Sequence, residues 1–166
     1  MDEKVLADAR ATFPLQKAAI TLGAVVHAGQ CAPEPLVTLS LAMANRHGLI
    51  AGATGTGKTK TLQLMTEQFS AAGVPVFVAD LKGDLSGIAV AGEANDRVMQ
   101  RAKDTGWAWH GAARPVEFLS LSGARGAQLR ATVSSFGPLL LAKVLGLNET
   151  QTSVLALVFK FCDDQK

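Results

Sequence analysis

Residues Gly52 to Thr59 read GATGTGKT, and their types and spacing could do phosphate chemistry. They fit G-x-x-x-x-G-K-[ST] at every fixed position, the pattern of a Walker A loop. Gly52, Gly55 and Gly57 lack a Cβ, which lets the backbone close around an anion. N–H groups from about Gly55 to Thr59 can then converge on one centre. The first N–H groups of a following helix lack intrahelical partners and sit at its positive end. Lys58 is expected on the β- and γ-phosphates, and the Thr59 hydroxyl on Mg²⁺. The expected nucleotide-binding segment is Gly52, Ala53, Thr54, Gly55, Thr56, Gly57, Lys58, Thr59 and Lys60. A glycine-rich turn could match the pattern by chance, but the flanking residues argue against that. His47–Ala51 is a short apolar run suited to a buried strand, and Lys58–Ala72 reads as a helix.

A second site is expected to supply an acid. Val76-Phe77-Val78-Ala79-Asp80 is an apolar run that ends in a carboxylate. A phosphate-loop ATPase needs such an acid at a strand end to hold Mg²⁺ or its water. Spacing alone leaves Asp80 evenly divided between that role and a strand terminus beside a solvated turn. Lys82-Gly83-Asp84 adds a turn and another carboxylate. Asp163-Asp164 reads better as the end of a surface helix, because Lys160 interrupts the apolar run before it. His27, His47 and His110 share no metal-ligand spacing with each other or with Cys31 and Cys162. His47 is expected to serve a structural hydrogen bond. Trp107 and Trp109 beside Arg97, Arg101 and Lys103 could form a base-stacking platform. The reading preferred here is that they seal a loop against the core.

The elements around these residues follow from hydrophobic period. Ile20–Val26 and Leu36–Leu41 read as strands separated by a turn at Gly29–Pro35. Leu49–Ala51 is expected as the first core strand. Leu62, Met65 and Phe69 form one face of the loop helix, which Ala72-Gly73 ends. Val74–Ala79 is then a second parallel strand, closing a right-handed βαβ unit. Asn95–Thr105 reads as a basic-faced helix ending at Gly106, Val116–Leu121 as a strand, and Phe136–Leu145 as a helix stopped by Gly146. Asn148 with Gln151 forms a capping box for a last helix. Its Val154, Leu155, Leu157, Val158 and Phe161 call for a packing partner.

The 166 residues suffice for one domain with a core, and 48% are apolar. A net charge of +2 is too small to argue for nucleic acid alone. Two distant cysteines give no disulfide framework, and a reducing cytoplasm is the expected compartment. The charged start MDEKVLADAR has no signal-peptide pattern, and no apolar stretch is long enough for a bilayer, so no membrane partner is expected.

Longer segments carry a resemblance. Asn45–Gly52 leading into the loop, Gly73–Phe77, and Asp80-Leu81-Lys82-Gly83-Asp84-Leu85-Ser86-Gly87 resemble the HerA-like helicase family of the HerA/FtsK superfamily, in its YjgR-type branch. Arg130–Ser134, Gly137–Leu141 and Leu145–Gln151 resemble that branch too. The resemblance implies an α/β fold with a RecA-like P-loop core, a small N-terminal β element at 1–44 and the first part of an ATPase domain at 45–166. A helical insertion is expected at about 134–166. It implies ATP and Mg²⁺ as cofactors, DNA as a partner and a homo-hexamer at full length. It also moves the magnesium acid and the water-activating glutamate to a later strand, in an apolar-run-Asp-Glu motif that this sequence lacks. Asp80 then becomes a turn acid. The chain reads as an N-terminal portion with an incomplete parallel sheet and weak hydrolysis.

Three functions follow. The first is a DNA-translocase-type motor ATPase or its nucleotide-binding part. The second is a small-molecule kinase using Asp80, with Arg97, Arg101, Arg114, Arg125 and Arg130 available but scattered. The third is a non-catalytic nucleotide-binding module. No guanine-reading N-K-x-D run is present, which favours ATP over GTP.

Overall fold

The computed structural model describes residues 1–165. Lys166, the last residue of the expected helical insertion, lies outside them. The chain is α/β and divides into two compact units, Met1–Val116 and Glu117–Lys166. The hairpin and the phosphate loop therefore share one unit.

The first unit begins with a helix that the sequence reading did not anticipate, α1 at Glu3–Thr12. Asp2 caps it by accepting from the Lys4 N–H at 2.9 Å, and Glu3 pairs with Arg10 across it at 3.1 Å. Next comes an antiparallel hairpin, β1 at Ala19–His27 and β2 at Gln30–Ser40. Ala28 and Gly29 both take positive φ, 48° and 76°, which a two-residue hairpin turn requires. The turn therefore lies earlier than the expected Gly29–Pro35. Pairing passes from Ala24 with Leu36 to Val25 with Ala32, so Pro33, Glu34 and Pro35 bulge out of the ladder. Proline has no N–H for a ladder, so β2 absorbs both prolines in the bulge instead of ending at them. Ile20, 2% exposed, and Ala32 are the buried apolar residues of this unit.

Helix α2, Lys58–Ala71, follows the phosphate loop. It closes on Gly73, φ 78°, with Gly73 N–H on the Ser70 carbonyl and Val74 N–H on that of Phe69. This is a Schellman ending, as Ala72-Gly73 led one to expect. Gln68 joins α2 to the hairpin. Its amide oxygen accepts from the Thr21 N–H and its amide nitrogen donates to the Thr21 carbonyl, both at 2.7 Å. Helix α3, Asp96–Thr105, forms where sequence placed it, capped by Asn95 and ended by Gly106. Gly106 lies against Pro33 of the β2 bulge so closely that a Cβ there would collide with the proline ring.

The expected parallel strands are corrected. Leu49–Ala51 and Val74–Ala79 run without ladder bonds, and no βαβ sheet joins them among the described residues. A strand is made by its neighbours. Neither segment has one at pairing distance, so Leu49 is 89% and Phe77 81% exposed.

In the second unit, β3 at Leu119–Ser120 and β4 at Ala127–Gln128 form a short parallel pair, shorter than the expected 116–121 strand. Helix α4 spans Val133–Val144, capped by Thr132, and breaks at Gly137 with φ 65° and ψ 168°. Sequence placed its start at Phe136, but the Thr132 cap adds a turn before the break. Pro138 restarts it, suited to a first helical position by its fixed φ. Gly146 ends α4, and Asn148 opens α5, Glu149–Asp164, with both bonds of the capping box in place. Ala142 is buried, whereas Leu157 and Phe161 remain about two-thirds exposed.

Candidate phosphate-binding site

The loop takes its shape from glycine. Gly55 and Gly57 hold φ of 82° and 98°, in the left-handed region that residues with a Cβ avoid. Gly52 is required by proximity, since a Cβ there would lie 2.5 Å from Thr56 Oγ1. The Thr56 hydroxyl donates to the Ala53 carbonyl at 2.8 Å and pins the turn. Gly57 is the N-cap of α2 and offers no side chain to its first turn. Among the described residues the N–H groups of Lys58, Thr59 and Lys60 therefore have no protein acceptor. The Lys58 ammonium folds back over the loop and donates to the carbonyls of Gly52 at 2.8 Å and Ala53 at 2.7 Å. Thr54 lies exposed on the outer turn.

The turn after Val74–Ala79 comes to the same helix end. Asp80 spends its carboxylate on backbone. Its Oδ1 accepts from Gly83 N–H at 2.8 Å and Lys82 N–H at 3.2 Å, and Oδ2 from Leu85 N–H at 3.0 Å. Partial desolvation pushes its pKa up, but the amides of Leu85, Gly83, Lys82 and Asp84 outweigh this and hold it below the ordinary 3.8. Asp84 faces the loop helix instead. The Thr59 hydroxyl donates to Asp84 Oδ2 at 3.2 Å, and the Gln63 amide donates to the Asp84 carbonyl at 2.6 Å. Lys60 in turn donates to Gln63 Oε1 at 2.8 Å. Thr59 and Gln63 are four apart, one turn along the same helix face, so they reach one loop together.

The sequence reading singled out Asp80, and the structure brings Asp84 to Thr59. Sequence does not display this contact, because the partners are 25 residues apart. Its only signal was a polar Gln63 one helical turn beyond Thr59.

A family model described as helicase HerA-like C-terminal matches residues 26–166. The chain belongs to this HerA-like family. The match takes in the whole of the hairpin's second strand, the phosphate loop and the Asp80–Asp84 turn, and it extends through α5. It bears out the resemblance carried by those segments, and with it membership in a helicase and ATPase-related motor family. No curated protein and no solved structure matches the chain.

The remaining candidates lie outside the loop and the 80–85 turn. His47 is exposed, and the structural hydrogen bond expected of it is absent among the described residues. No cluster of three or more His, Cys, Asp or Glu could hold a metal among them either. Trp107 and Trp109 are half-buried, with the Trp109 ring on Gly92. Arg114, half-buried, pairs with Glu67 of α2 at 3.3 Å. No helix among the described residues is long and apolar enough to cross a membrane.

Proposed function

We propose that the chain is the ATP-binding part of a HerA-like DNA-translocase or helicase motor, taking ATP and Mg²⁺ at Gly52–Lys60. The observation that carries this is the Lys58 ammonium, held 2.7–2.8 Å from two carbonyls of a glycine loop at a helix N-terminus. The pieces fit a polyphosphate. The unpaired amides of Lys58, Thr59 and Lys60 and the positive end of α2 favour an anion. Lys58 exchanges loop carbonyls for phosphate oxygens when nucleotide enters. The Thr59 hydroxyl, which donates to Asp84, keeps lone pairs for a cation. Mg²⁺ bound there would neutralise charge developing on the transferring phosphoryl group.

Family membership supports a RecA-like core, DNA as the substrate, a cytoplasmic setting and a hexamer at full length as parts of the same proposal. The kinase alternative needs a free Asp80 carboxylate, and three backbone N–H groups already occupy it. The sequence contains no apolar run followed by Asp-Glu, so the reading assigns this chain nucleotide binding with weak hydrolysis. A fluorescent ATP analogue titrated with Mg²⁺ tests it. Wild type is expected to bind, Lys58→Ala to lose at least tenfold in affinity, and wild-type turnover to stay below about 1 s⁻¹. Equal binding by the two proteins would end the nucleotide reading.

A further inference from the structure

We propose that, of the two acids in the 80–85 turn, Asp84 and not Asp80 helps position the metal at this site. The inference rests on the nucleotide reading above and deepens it. Each carboxylate of the 80–85 turn has a distinct job by hydrogen-bond inventory. Asp80 accepts three backbone N–H bonds within its own turn, so its lone pairs are largely directed into the loop that it shapes. The Asp84 side chain takes a single bond, from the Thr59 hydroxyl to Oδ2, while its backbone carbonyl accepts from Gln63 and its backbone N–H faces Asp80. Its remaining lone pairs face no other donor among the described residues. The Thr59 hydroxyl has one proton and two lone pairs. With the proton committed to Asp84 at 3.2 Å, the lone pairs must point elsewhere, which orients the oxygen as a cation ligand. The carboxylate beside it can accept from water on that cation, the outer-sphere arrangement that fixes ligand orientation in metal sites.

The turn is also built to keep Asp84 in place. Gln63 holds the Asp84 carbonyl at 2.6 Å, and Lys60 holds the far oxygen of that amide at 2.8 Å. The Asp80 bonds then fix the backbone on which Asp84 sits. A solvated turn acid would need none of these.

The test separates metal binding from nucleotide binding. Mn²⁺ affinity is read by electron paramagnetic resonance on the chain saturated with ATP. ATP affinity is read separately in chelator with no divalent ion. Asp84→Asn should weaken Mn²⁺ binding by 10- to 100-fold, the usual cost of losing an outer-sphere partner. It should leave metal-free ATP affinity unchanged or raise it, because a negative charge beside the phosphates has gone. Asp84→Glu, which restores a carboxylate, should recover part of the Mn²⁺ affinity. A merely structural Asp84 would weaken both affinities together, and that result overturns the proposal. So does unchanged Mn²⁺ affinity in Asp84→Asn. Failure of wild type to bind ATP even with Mn²⁺ would instead sink the nucleotide reading and this inference with it.

Discussion

Gln68 offers the sharpest check on how the phosphate-loop helix is held. Its amide pairs with Thr21 as a neighbouring strand would, accepting from the Thr21 N–H and donating to the Thr21 carbonyl, each at 2.7 Å. Gln68→Ala removes both. A neutral hydrogen bond contributes about 0.5–1.5 kcal/mol net, so two give roughly 1–3 kcal/mol. The half-buried setting leaves Thr21 partly desolvated without partners, which puts the expected loss near 2 kcal/mol, roughly thirtyfold in the unfolding equilibrium. Gln68→Glu makes the argument directional. Its carboxylate can still accept from the Thr21 N–H, but it sets a second oxygen against the Thr21 carbonyl where a donor stood. It should therefore destabilise at neutral pH and recover on acidification, when the carboxyl regains a proton to donate. Urea unfolding followed by circular dichroism gives the energies, and hydrogen exchange at the Thr21 amide gives the local effect. A loss below about 0.5 kcal/mol in Gln68→Ala, with Thr21 protection intact, would refute the clamp.

Two further outcomes are expected. The lowered pKa of Asp80 means that its bonds support the folded turn above pH 3.8 and are lost as pH falls through its folded value. The Gly83 and Leu85 amide resonances should therefore hold position at pH 5 and move together only below 3.8; movement at higher pH would contradict the assignment. Gly137→Ala places a Cβ in open space but at φ 65° and ψ 168°. Strain alone should cost about 1–3 kcal/mol in thermal unfolding of the second unit and loosen the turn before Pro138. An unchanged melting temperature would show that the break tolerates a side chain.

What the sequence displayed was local chemistry. Capping by Asn148 and Gln151, the stops at Gly73, Gly106 and Gly146, and the glycine loop each depend on residues a few positions apart. Each appears in the fold where its residues stand. The hairpin strands were legible for a similar reason, although the proline bulge was not, because prolines usually punctuate a strand and here are carried out of its ladder. Helix α1 lacks a strong apolar stripe and rests on the Asp2 cap, which is easily overlooked in a charged terminus. The failures at Leu49–Ala51 and Val74–Ala79 have one cause. Apolar, β-branched composition reports fitness for a sheet interior, while strand structure needs a partner that composition cannot name. The Thr59–Asp84 and Gln68–Thr21 contacts join residues 25 and 47 apart, and polar pairs at such separations leave no periodic trace.

The two clamps on α2 have a mechanical meaning together. Thr59 and Gln63 hold the helix to the 80–85 turn, and Gln68 holds it to the hairpin. At about 100° per residue, the nine steps from Thr59 to Gln68 come to roughly two and a half revolutions, so the clamps grip opposite sides. At about 1.5 Å per residue they also lie roughly 13 Å apart along the axis. A rod gripped on opposite sides at separate points cannot roll about its axis without tearing one grip. Its remaining freedom is to tilt, pivoting on one clamp while loading the other. A force arriving at the phosphate end of α2 therefore has a direct route through Gln68 to Thr21 of the hairpin.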